Sequence, residues 1–93
     1  MKYDVRKVEL SELTNDENYT KYREIYEKGS LEHLRGRFVA YQHGMIVYID
    51  YNKESLDEIT EKLNRIICDD PILIIEVGSN SQYYLKRLKQ EVI

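Results

Sequence analysis

The stretch that decides the fold is GRFVAYQHGMIVYIDY, residues 36–51. Two runs of β-branched and aromatic residues, Phe38–Gln42 and Met45–Ile49, flank the dipeptide His43-Gly44. A two-residue loop of this kind reads as a type I′ hairpin. Such a turn needs positive φ at both central residues, which glycine accepts freely and histidine more readily than most side chains. With that turn, Gln42 faces Met45, Tyr41 faces Ile46, Ala40 faces Val47, Val39 faces Tyr48, Phe38 faces Ile49 and Arg37 faces Asp50. Opposed residues share a sheet face. One face then carries Phe38, Ala40, Met45, Val47 and Ile49 and suits a core. The other carries Val39, Tyr41, Ile46 and Tyr48, with the Arg37–Asp50 charge pair at its open end.

Downstream, Ser55-Leu56-Asp57-Glu58 has the form of a capping box, in which a serine oxygen takes an orphan amide and a glutamate reaches back. The helix it opens, over 55–68, places Leu56, Ile59, Leu63, Ile66 and Ile67 on one stripe. Asp69-Asp70-Pro71 stops it. The run Ile72-Leu73-Ile74-Ile75-Glu76-Val77 is short, apolar and β-branched, as in a strand buried on both faces. This gives a β-β-α-β unit of hairpin 37–51, helix 55–68 and strand 72–77. The expected order has the first hairpin strand in the centre, between the second hairpin strand and strand 72–77.

Upstream, Thr14-Asn15-Asp16-Glu17 also reads as a capping box. The helix after it shows Tyr19, Tyr22, Ile25 and Tyr26 on one side and ends at Gly29. Residues 30–35 form a further helical turn closed by Gly36. Residues 3–10 alternate loosely, as an edge strand does. Ser79-Asn80-Ser81 is read as the cap of a C-terminal helix presenting Tyr84, Leu85, Leu88 and Val92. The fold class is α+β: a small open sheet flanked by an N-terminal helical segment and a C-terminal helix. It forms a single domain over 1–93 with its core unit at about 18–78.

The segment Leu34-Arg35-Gly36-Arg37-Phe38-Val39-Ala40-Tyr41, followed by Gly44-Met45-Ile46-Val47-Tyr48, resembles a family of short archaeal and bacterial domains of unknown function. That family has a Gly-Lys-aromatic-Val-Ala hairpin, a glycine at the turn, an amphipathic helix and a Pro-led final strand, matched here by Pro71 through Val77. The likeness covers about residues 18–78. Arg37 replaces the usual lysine, region 41–51 is richer in tyrosine, and both ends are extended. The resemblance implies a fold and no activity, cofactor or catalytic residue.

Ninety-three residues with 42% hydrophobic and 33% charged side chains form one small folded domain. A single cysteine, Cys68, leaves no intramolecular disulfide and no cysteine-based zinc site, and fits a reducing, cytoplasmic location. No apolar run approaches the ~20 residues of a membrane span. A net charge of −3 argues against general affinity for nucleic acid. The chain is uneven, however: residues 36–78 hold four basic and eight acidic side chains, whereas 80–93 hold three basic and one acidic.

His43 is explained by its turn. His33 with His43 and Asp50 or Asp69 lacks the spacing of a local metal motif. Cys68, at a helix end where the dipole does not favour a thiolate, reads as a structural residue. No cofactor is expected, and no set of catalytic residues converges. The unusual feature is nine tyrosines with one phenylalanine and no tryptophan. If helices cover one sheet face only, Val39, Tyr41, Ile46 and Tyr48 form an exposed amphipathic patch. The expectation is then a non-enzymatic interaction or regulatory module, a homodimer or the docking site of a protein partner. If instead the tyrosine-bearing helix covers that face, the fold has three layers. The alternative function is a nucleic-acid-associated protein, with Tyr41 and Tyr48 stacking bases and Lys86, Arg87 and Lys89 meeting phosphates.

Overall fold

A computed structural model describes residues 3–65 and 70–87. The expected hairpin is β2 (Phe38–Gln42) and β3 (Met45–Ile49), joined by His43 at φ 54° and Gly44 at φ 73°. Both turn residues lie in the left-handed region, as type I′ geometry requires. The register differs from expectation beyond the first two pairs. Gln42 opposes Met45 and Tyr41 opposes Ile46, but Ala40 opposes Tyr48 and Val39 opposes Ile49. Val47 is therefore the extra residue of a β-bulge, which turns two successive side chains to one side. Val47 and Tyr48 pack together in one core cluster, while Ile46 and Ile49 pack in the other.

The helix α2 (Leu56–Asn64) begins as expected, with Ser55 Oγ accepting from the Glu58 amide at 3.2 Å. Ile66, Ile67 and Cys68 of the expected helix, and Asp69 after it, lie outside the described residues. The apolar run forms β4 (Ile72–Glu76), antiparallel to β2, so β2 lies between β3 and β4 as expected.

The N-terminal residues form an edge strand, β1 (Tyr3–Lys7). A 3-10 turn at Leu10–Leu13 follows, then α1 (Glu17–Glu27). The cap of α1 is Asp16, whose Oδ1 accepts from the Tyr19 amide at 3.0 Å. Thr14 instead closes the 3-10 turn, its hydroxyl donating to the Ser11 carbonyl at 3.2 Å. A carboxylate is as good a cap as a hydroxyl, and it stood two residues nearer the helix. Gly29, at φ 79°, ends α1 in a Schellman arrangement: its amide donates to Tyr26 O, and that of Ser30 to Ile25 O.

Among the described residues the expected C-terminal helix is not found. Gln82–Arg87 is a strand, β5, paired antiparallel with β4 on one side and β1 on the other. Gly78–Ser81 is a hairpin turn, closed by the Glu76 amide donating to Ser81 O at 2.9 Å. The spacing of Tyr84, Leu85 and Leu88 permits a helical reading. Tyr83 and Leu85 also alternate with Gln82, Tyr84 and Lys86, and two adjacent tyrosines favour a strand. Leu88 to Ile93 lie outside the described residues. The sheet order is β1-β5-β4-β2-β3, antiparallel throughout.

Each face of the sheet has its own core. On one, Tyr22 and the flanking Tyr19, Ile25 and Tyr26 of α1 pack with Leu13, Leu31 and Leu34 onto Val39, Tyr41, Leu73 and Ile75. On the other, Leu56, Ile59 and Leu63 of α2 cover Ala40, Ile72, Ile74 and Leu85. The helices therefore lie on both faces, and the fold is a three-layer α+β arrangement. Ile74 is fully buried in the α2 core. Replacing Ile74 with alanine is expected to cost about 2–5 kcal/mol, read as a lower urea midpoint at unchanged m-value.

Candidate functional site

The four residues expected to share an exposed face do not share one. Val39 and Tyr41 are fully buried under α1. The Tyr22 ring meets Tyr41 edge-on at 6.3 Å and lies between those of Tyr19 and Tyr26, at 5.9 and 5.7 Å. Ile46 packs against the same core, whereas the bulge sends Tyr48 to the α2 side. An exposed tyrosine face is thus ruled out, because α1 closes it. Base stacking on Tyr41 is ruled out for the same reason. Tyr48 donates its hydroxyl to Glu54, which also receives the Lys62 ammonium. Those two partners hold the Glu54 carboxyl below its usual value, Lys62 foremost. Lys86 is exposed on β5; the Arg87 side chain and Lys89 lie outside what is described.

Asp50, expected to pair with Arg37, is buried and organises the loop after β3. Its carboxylate accepts from the Asn52 amide at 3.1 Å and the Glu54 amide at 3.0 Å. Arg37 donates to the Tyr51 carbonyl instead. His43 lies 2.9 Å from Asp70, both well exposed, so the pair joins the hairpin tip to the loop before β4. Among the described residues no group of three His, Cys, Asp or Glu side chains could hold a metal ion, and no helix is long and apolar enough to cross a membrane.

Two surfaces stand out. The first is the β3 edge. Met45, Ile46, Val47, Tyr48 and Ile49 carry no charge, and no described strand pairs with their outer side. Met45 and Tyr51, at the two ends of this edge, are 66% and 60% exposed, the largest exposures among the described large hydrophobics. The opposite edge, β1, carries Asp4, Arg6 and Lys7, a charge pattern that discourages strand addition.

The second is a groove of about 440 Å³, lined by Asp4, Arg6, Asp16, Asn18, Pro71, Tyr84 and Lys86. The β1 and β5 side chains on the α1 side of the sheet form its floor, and the start of α1 forms a wall. Tyr84 donates its hydroxyl to Asp16 Oδ2. Burial first, then this bond and the Asp16 charge, push the Tyr84 phenol well above its ordinary value. Asn18 Oδ1 accepts from the Gly44 amide at 2.7 Å, tying α1 to the hairpin turn. None of Asp4, Arg6, Asp16, Asn18 or Tyr84 stood out as a site residue in the sequence. The signal was the two-residue alternation Tyr3/Val5 against Asp4/Arg6 and Tyr83/Leu85 against Tyr84/Lys86, which is legible only once 82–87 is read as a strand.

Compared with protein-family models, curated proteins and solved structures, the chain matches none.

The Tyr41 hydroxyl is buried without a hydrogen-bond partner, and burial pushes its pKa up to about 12. A buried, unpaired hydroxyl costs free energy that a ring of the same shape does not. Tyr41→Phe is therefore expected to leave stability at neutral pH unchanged or to raise it by up to about 1 kcal/mol. Burial disfavours the ionised form in the folded state, so wild type keeps its full stability below the ordinary tyrosine value of 10.0 and loses stability as pH rises from there through about 12. Urea titrations through this range should show a shallower alkaline loss for Tyr41→Phe than for wild type.

Proposed function

We propose that this protein is a non-enzymatic interaction module that self-associates through the β3 edge. The observation that carries this reading is the contrast between the two sheet edges: β1 is charged, whereas β3 is uncharged and flanked by exposed Met45 and Tyr51. An uncharged edge with unused backbone donors and acceptors favours addition of another strand.

A second copy is the occupant that fits. Isologous contacts require one patch to complement itself. An antiparallel two-fold about Val47 sets Met45 of one copy beside Ile49 of the other, and Tyr51 beside the His43 turn, with no like charges opposed. The bulge at Val47 interrupts the ladder at its centre. Continuous backbone pairing is therefore short, and packing of Met45 and Tyr51 carries the remainder.

Sedimentation velocity from micromolar to millimolar protein is expected to show a reversible monomer–dimer equilibrium. The double variant Met45→Lys, Tyr51→Lys alters two exposed side chains, and it should weaken the dimer at least tenfold, about 1.4 kcal/mol. A monomer at millimolar concentration, or a dimer indifferent to both lysines, would overturn the reading.

A further inference from the structure

The groove between the β1–β5 ledge and the start of α1 is distinct from the β3 edge and independent of it, since β1 and β3 end opposite sides of the sheet. Its volume lies in the range of small-ligand sites, ~300–1,000 Å³. The four charges that line it, Asp4, Asp16, Arg6 and Lys86, sum to zero.

These charges are not equally free. Both Asp16 oxygens are engaged, one by the Tyr19 amide and one by the Tyr84 hydroxyl. The first of these bonds is the cap of α1. Arg6 Nη1 donates to Glu12 at 3.0 Å, which leaves other donors of its five-donor guanidinium. Asp4 and Lys86 stand directly opposite each other across the β1–β5 pair, yet no ion pair joins them among the described residues. Both are exposed and lie on strands whose backbones are fixed by the sheet. Among the described residues the groove thus presents one uncommitted carboxylate and one uncommitted ammonium side by side, with spare donors at Arg6 and at the Asn18 side-chain amide nitrogen.

We propose that the groove binds a small zwitterion of the free α-amino acid class. The ligand ammonium is recognised by Asp4. Its carboxylate is recognised by Lys86, with Arg6 and the Asn18 amide in support, and its side chain lies toward Pro71 and Tyr84. The choice of class follows from charge. A simple anion meets Asp4 and Asp16 at close quarters, and a simple cation meets Arg6 and Lys86; like-charge contacts of that kind select against a ligand. A molecule carrying both signs a few ångströms apart satisfies both uncommitted groups at once.

The test is a titration of ¹⁵N-labelled full-length protein, followed by amide shifts, with a panel of free L-amino acids. N-acetylated and C-amidated forms of each binder and a neutral sugar serve as comparison probes. Amide shifts are expected at Asp4–Arg6, Asn18 and Tyr84–Lys86 for at least one free amino acid. Removing either ligand charge should weaken binding at least tenfold, and the sugar should produce no shift. Asp4→Asn is expected to reduce affinity for the free amino acid at least tenfold while leaving that for its N-acetyl form unchanged. Lys86→Met should do the same with respect to the amidated form. Both positions are exposed on strands that remain paired through their backbones, and the unaltered remainder of the amide spectrum shows that each variant is folded. Absence of shifts at tens of millimolar ligand, equal binding of the capped forms, or shifts confined to other surfaces would each overturn the proposal. None of these outcomes depends on whether the β3 edge forms a dimer.

Discussion

The architecture rests on β4 being buried on both faces at once. Ile72, Leu73, Ile74 and Ile75 are each 1% exposed or less, so successive side chains of one strand enter two separate cores. Full burial of such side chains is worth about 1.5–3 kcal/mol each. It is available only if apolar cover is supplied on both sides. The amphipathic stripe of α2 covers one side. The tyrosine-bearing face of α1, with Leu13, Leu31 and Leu34, covers the other. Once β4 is central, β2 and β5 take its flanks, and β3 and β1 become the edges.

This arrangement gives the tyrosines their roles. A tyrosine can bury its ring in a core and still place its hydroxyl on a polar group at the rim. Tyr22 does so by accepting from the Gly78 amide at 3.3 Å, Tyr48 by donating to Glu54, and Tyr84 by donating to Asp16. Each bond joins elements distant in sequence or fixes a loop: α1 to the β4–β5 turn, β3 to the approach to α2, and β5 to the α1 cap. Tyr41 lies on the central strand β2, beneath Tyr22, and its hydroxyl finds no partner. A phenylalanine could not have supplied these three rim contacts, which accounts for three of the nine tyrosines.

Features set by local chemistry were legible in the sequence. The His43-Gly44 turn, the Ser55 cap, the helix from Leu56, the strand from Ile72 and the central place of β2 follow from turn residues, caps and periodicity. Features set by competition between elements were not. Nothing within 36–51 distinguishes a regular hairpin from one in which Val47 bulges, because both leave apolar residues on both faces. The preference of Val47 and Tyr48 for the α2 core is visible only once α2 and α1 occupy opposite sides. Likewise, 82–87 carries both a helical and a strand pattern. The strand prevails because β4 otherwise has an unpaired side with buried backbone groups, and such groups are costly unless hydrogen-bonded. The groove was hidden by the same misreading, since Asp4, Arg6, Tyr84 and Lys86 converge only when β1 pairs with β5.

The polar ledge follows from the way the two helices are placed. A five-stranded sheet is ~19 Å wide, whereas a helix with its side chains covers ~10 Å. The α2 cluster reaches Tyr3, Val5 and Tyr83, so that face is closed as far as β1. On the other face α1 lies over β2, and its cluster takes in Tyr84 of β5 and Val8 just after β1 but no residue of β1 itself. The strip beyond must be polar, and a solvated strip could carry any mixture of charges. Cross-strand neighbours of opposite sign usually pair where their side chains reach, as exposed ion pairs do elsewhere in this molecule. Asp4 and Lys86 are opposed in register and stay apart, beside a tyrosine–carboxylate contact that fixes the adjoining wall. A solvated strip has no need of a wall, and it is the combination of a fixed wall with two uncommitted opposite charges that distinguishes this ledge from ordinary surface.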